Sequence, residues 1–140
     1  MANAIINEWI QLDNEYELLD LSSCELTELP NLPTNLLGLD CEENYLTSLD
    51  NLPLGLRVLR CGNNSLTSLN HLPSGLEELH CHNNNLTSLD HLPIGLGELD
   101  CEGNKITSLD CLPSTLTTLR CDFNRTTLLY CLPAGLKTLY

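Results

Sequence analysis

Apolar residues along this chain follow one short phrase that keeps returning. Over residues 36–44 it reads LLGLDCEEN, and its skeleton recurs every twenty residues. Leu39, Leu59, Leu79, Leu99 and Leu119 form one column, Cys41, Cys61, Cys81, Cys101 and Cys121 a second, and Asn44, Asn64, Asn84, Asn104 and Asn124 a third. Leu and Cys alternate with polar residues, the period of a short strand with one buried face. Leu39 and Cys41 therefore point inward, and Gly38, Asp40 and Glu42 outward. A strict period of this length means a stack of small units, none of which can bury its apolar face alone.

Taken in order, residues 1–15 carry Ile5, Ile6, Trp9 and Ile10 on one face of a short helix over 3–12. Asn3 is placed to cap it and Asp13-Asn14 to end it. This segment reads as a cover for the open end of the stack. It lacks Lys and Arg, which speaks against a membrane-surface or partner-binding helix. Residues 16–35 form a divergent first repeat, with Tyr16, Leu19 and Leu21 in the inward columns and Cys24 at the Asn position. Five full repeats occupy 36–55, 56–75, 76–95, 96–115 and 116–135, with the consensus LxxLxCxxNxLTSLxxLPxG, and residues 136–140 begin a truncated last strand. The whole is one domain.

The x-L-P-x-G segment fits a turn with Pro second and Gly fourth. Twenty residues cannot hold a strand, a helix and two connections, so the return path is extended or turn-like and successive strands pair in parallel. A buried Asn offers both donor and acceptor to turn backbone that no strand ladder reaches. The last full repeat is degenerate, with Thr126 for Leu or Ile and Leu128 for Ser. The strand after it presents an open edge on which a second copy could pair.

Charge narrows the function. The net charge is −13, with six Lys and Arg in 140 residues. Phosphate backbones and anionic lipids ask for the opposite sign, so nucleic acid and membrane are disfavoured and a basic protein partner is favoured. No apolar run approaches a spanning helix, and no basic flank and apolar core mark a signal peptide. Five of the eight cysteines lie in one inward column. Neighbours there are about 4.8 Å apart with parallel Cβ vectors, a geometry unsuited to disulfides, so reduced thiols are expected. Asn124 begins an N-x-Thr sequon at a ladder position that must be buried, which disfavours a glycosylating route. Cys111 and Cys131 share one turn position and read as free thiols rather than a pair.

The segments LLGLDCEENYL, LRVLRCGNNSL, LEELHCHNNNL, LGELDCEGNKI and LTTLRCDFNRT resemble the LxxLxLxxNxL unit of leucine-rich repeats, with Cys at the third Leu. The repeat length and the recurring Leu-Pro resemble the bacterial subclass found in effectors of the YopM and IpaH type and in giant-virus proteins. That subclass reads LPxLP, a form kept here only at Leu29-Pro30-Asn31-Leu32-Pro33. The resemblance implies a solenoid of the α/β horseshoe class. Its short parallel strands line the concave face, its convex side is extended, and a helical cap precedes them. It also implies a non-enzymatic protein-binding role, without cofactor, in a cytoplasm that for an effector is the host cell's.

The outward rows define the candidate partner surface: Asp40, Glu42, Arg60, Glu78, His80, His82, Glu98, Asp100, Glu102, Arg120, Asp122 and Phe123. Variable, mainly acidic residues on a constant frame are what an interaction face requires, although a merely solvated sheet face reads the same way. His80 and His82 point outward together, beside Asp100 and Glu102, a set able in principle to hold a zinc-like ion; the alternative is that they are members of the acidic surface. No nucleophile-base order, phosphate loop or Cys-x-x-Cys pair appears, and an open wall lacks the burial that tunes catalytic carboxylates. A structural, self-assembling role through the C-terminal edge is the alternative to partner binding.

Overall fold

The computed structural model describes residues 1–12, 18–126 and 132–140. Helix α1 (Ala2–Gln11) precedes seven short strands: β1 (Leu18–Asp20), β2 (Gly38–Asp40), β3 (Val58–Arg60), β4 (Glu78–His80), β5 (Glu98–Asp100), β6 (Thr118–Arg120) and β7 (Thr138–Leu139). They make one parallel sheet in chain order. Each residue pairs with the one twenty positions on, as in Leu59↔Leu79 and Arg60↔His80. Between the strands the described residues hold turns and extended chain and no helix. The chain is a parallel solenoid, and tight turns make its return path.

Burial follows the repeat columns. Leu36, Leu39, Cys41 and Leu46 are fully buried, as are their counterparts in the next three repeats. Ile106 takes the place of Leu in its column and is equally enclosed. Leu49, Leu69, Leu89 and Leu109 close the far side, backed by buried Pro53, Pro73, Pro93 and Pro113. One apolar spine thus runs the length of the stack between the sheet and the return path. Each coil supplies half of the wall its neighbour needs.

The asparagine column stitches coil to coil. Asn84 Oδ1 accepts the Leu66 N–H at 2.9 Å, and its Nδ2 donates to the carbonyls of Cys61 at 3.0 Å, Cys81 at 3.1 Å and His82 at 3.2 Å. Asn44, Asn64, Asn104 and Asn124 repeat the pattern on the preceding coil. Backbone groups at the strand exit have no ladder partner, and one side-chain amide satisfies several of them. Asn124 departs from the expectation of full burial: it is only half-buried, in a coil followed among the described residues by β7 alone.

Two local expectations change. The turn closes by the Leu56 N–H donating to the Pro53 carbonyl at 3.1 Å, repeated at Leu76, Leu96, Leu116 and Leu136. Pro therefore stands first in the turn and Gly third, one place earlier than the sequence pattern suggested. At the N-terminus the Ala4 amide reaches the Met1 carbonyl at 3.0 Å, so the helix starts ahead of Asn3. Asn3 lies inside the first turn and makes no capping bond. Ile6 and Trp9 carry the cap's contact with the stack, Ile5 assists, and Ile10 is mostly exposed. Tyr16, the Asp13-Asn14 helix end, Leu128 and Cys131 lie outside the described residues.

Candidate functional site

The face of the sheet opposite the spine is built from the outward residues of successive strands. Its middle row is Asp40, Arg60, His80, Asp100 and Arg120, direct Cα partners across the sheet. Beside it run Gly38, Val58, Glu78, Glu98 and Thr118. The row at the strand exit holds Glu42, Gly62, His82, Glu102 and Asp122, held in step by bonds such as Asn63 N–H to the His82 carbonyl at 2.9 Å. The next position takes φ between 50° and 66° at Ser23, Glu43, Asn63, Asn83, Gly103 and Phe123. Only one of these is glycine, so the chain turns off the sheet in the left-handed region whatever the side chain. Phe123 is thereby carried out into solvent, 82% exposed.

The predicted surface residues do share one face, but two outward positions are covered. A Cβ added to Gly38 would lie 2.9 Å from Leu18 Cδ1, and one on Gly62 would lie 2.3 Å from the His82 ring. Side chains from neighbouring coils lean across and fill both gaps. His82 lies over Gly62 and brings its Nδ1 to 4.0 Å from Glu42 Oε1, two coils back. Its Nε2 stands 3.1 Å from Asn63 Nδ2, while Asn63 Oδ1 accepts from Asn83 Nδ2 at 3.0 Å. That order makes Nε2 the acceptor and puts the ring proton on Nδ1, toward Glu42.

The charged groups form a linked set. Arg60 donates to Glu78 at 3.4 Å. His80 Nε2 lies 3.3 Å from Glu78 Oε1 and 3.5 Å from Glu98 Oε1. Arg57 pairs with Glu77 on the flank, and the Arg120 guanidinium stacks 4.8 Å over the Tyr140 ring. The aspartates of the middle row also serve the backbone. Asp40 Oδ1 accepts the Glu42 N–H at 3.1 Å, and Asp100 Oδ1 the Glu102 N–H at 3.1 Å. Burial, reinforced by Asp40, raises the Glu42 carboxyl above its ordinary range, against the opposing pull of His82, His80 and Arg60.

The candidate ion-binding set of His80, His82, Asp100 and Glu102 does not converge. Asp100 turns to its own strand exit, the His80 imidazole faces Glu78 and Glu98 instead, and His82 reaches Glu42. Among the described residues no three His, Cys, Asp or Glu side chains are grouped to hold a metal. His71 and His91 are exposed at equivalent turns of the return path with φ of 65°.

Behind the face, Cys41, Cys61, Cys81 and Cys101 are fully buried free thiols. Burial raises the Cys41 thiol to about 12. Burial also carries Cys61, Cys81 and Cys101 above their ordinary value. Cys41 and Cys101 donate weakly to the carbonyls of Arg60 and Arg120 at 3.3 and 3.2 Å. These sulfurs are packing groups, not nucleophiles.

Parallel strands at a twenty-residue step, an asparagine ladder and a variable outward sheet face define a leucine-rich repeat solenoid. The family of Leucine Rich repeats (2 copies) matches residues 55–94. The chain is a leucine-rich repeat protein of the bacterial type and resembles the YopM-like effectors. YopM from Yersinia enterocolitica is 40% identical over 82% of this chain and 26% of its own, with a TM-score of 0.77. The leucine-rich effector YopM of Yersinia pestis is 28% identical over 99% and 46%, with a TM-score of 0.81. InlJ of Listeria monocytogenes, whose functional domain is described as including a cysteine ladder, is 30% identical over 86% and 31%, with a TM-score of 0.68. The chain spans between about a quarter and a half of these structures. No curated protein matches it significantly. Its kind is a protein-interaction repeat module. No described helix is long and apolar enough to cross a membrane.

Proposed function

We propose that the concave sheet face binds a basic surface on another protein. One observation carries this: carboxylates crowd a single open face whose few cations are already engaged. Asp40, Glu42, Glu78, Glu98, Asp100, Glu102 and Asp122 face Arg60 and Arg120, and these two are held by Glu78 and Tyr140. Such a field steers a cationic partner and rejects anionic ones more than it adds affinity. Phe123 adds an exposed aromatic at the rim, a favoured surface for an arginine. His80 and His82 lie between the two acidic ends on β2 and β5. The reading extends to a reduced, cytosolic setting, where the thiol column stays unoxidised.

The test is a fourfold reversal, Asp40→Lys, Glu42→Lys, Asp100→Lys and Glu102→Lys. Proteins captured by the unaltered chain are identified by mass spectrometry and retested in pure form by calorimetry. Affinity is expected to fall at least tenfold in the variant and to weaken with salt in the unaltered chain. Undiminished binding by the variant sinks the proposal. Self-association is a second reading, favoured by β7, which among the described residues pairs only with β6, and by the exposure of Tyr140. Light scattering that reports a monomer across the accessible concentration range removes it.

A further inference from the structure

The acidic rows supply steering, yet interface affinity comes mainly from side chains that fill desolvated pockets. The outward sheet face carries a hollow of about 370 Å³ lined by Leu18, Leu37, Gly38 and Val58, together with Arg57, Arg60, Glu77 and Glu78. Its origin lies in the repeat. Gly38 stands in a row that holds Val58, Glu78, Glu98 and Thr118 on the following strands, and the Leu18 side chain leans over it, so the lining at β2 is apolar. Arg57 and Arg60 are among the lining residues. Glu77 and Glu78 draw both toward β4, and the four charges cancel in pairs. What remains is an apolar floor of Leu18, Leu37 and Val58 with a neutralised rim. Asp40 and Glu42 follow on the same strand, the first about 7 Å away.

Resting on the basic-partner reading above, we propose that this hollow receives one apolar side chain of the same partner segment. The partner is then a short basic stretch with a leucine-sized anchor flanked by Lys or Arg. The anchor meets Leu18, Leu37 and Val58, and the flanking cations meet Asp40 and Glu42. The volume is at the small end for a ligand pocket and suits a single side chain. The carboxylates beside it exclude an acidic segment, which fixes the chemistry of the occupant.

The probe is a fluorescent heptapeptide with a central Leu between two runs of three basic residues, compared by anisotropy with its central-Ala counterpart. The Leu peptide is expected to bind about tenfold tighter, the difference of a few buried methylenes. Val58→Trp, which fills the hollow without altering charge, is expected to remove that preference while both peptides still bind. Leu37→Gln gives an independent loss of the floor should the Trp variant fail to fold, as judged by circular dichroism. Equal affinity of the two peptides for the unaltered chain, or a Leu preference that survives both substitutions, overturns the anchor proposal alone. Binding of neither peptide overturns it together with the basic-partner reading.

Discussion

The coil built on β4 and the coil built on β6 carry the same motif and live in different surroundings. Cys81 and Asn84 are enclosed, whereas Cys121 and Asn124 at the same repeat positions are only half-buried. Asn124 still makes its bonds to Ile106, Cys101 and Cys121 at 2.9 to 3.0 Å. The ladder bonds therefore depend on the preceding coil, and the burial depends on the following one. In a stack of this kind stability resides in the interfaces between units, not in the motif itself.

The sharpest way to break that comparison is the asparagine pair. Asn84→Ala strands one amide and several carbonyls inside the spine, each costing about 1–3 kcal/mol, and is expected to destabilise by about 4 kcal/mol in urea unfolding. Asn124→Ala leaves its partners within reach of water and is expected to cost about half as much. Equal losses would mean that burial from the following coil contributes nothing.

The thiol column sharpens the contrast without perturbing the fold. At pH 8 an alkylating reagent is expected to label exposed Cys111 readily and half-buried Cys121 slowly. Cys41, Cys61, Cys81 and Cys101 should react only on unfolding, as read by peptide mass spectrometry. Their burial and raised proton affinity withhold both access and thiolate. Labelling of Cys81 at the rate of Cys121 would contradict the enclosed spine.

The smallest effect concerns Glu42. Its folded-state carboxyl titrates above the unfolded one, so the ionised form opposes folding at neutral pH. Glu42→Gln is expected to raise the melting temperature slightly at pH 7. The gain should shrink as pH falls through the carboxylate range and vanish below about pH 4, where both states hold the proton. A loss at pH 7 would show that the His82 contact outweighs the burial.

Much of the molecule was legible in the residues. Leu39, Cys41 and Asn44 recur at one step, and that step dictates parallel pairing, an inward column and an outward one, and a return path too short for a helix. The same spacing placed Asp40, Arg60, His80, Asp100 and Arg120 on one face. The turn register and the start of α1 differed by one or two residues, because hydrogen bonding to Pro53 and Met1 decides them and no side-chain pattern marks it. The covering of Gly62 by His82, and the choice of Glu78 and Glu98 rather than Asp100 by His80, left no trace in the repeat.

Periodicity by itself determined the solenoid, its spine and the identity of the outward rows, since a strict repeat forces like residues into like environments. Only the tertiary structure decided which outward charges meet, which glycines are covered and where the hollow opens. Long side chains on adjacent coils lean toward whatever space and charge they find twenty or forty residues away, and that choice depends on all the neighbours at once.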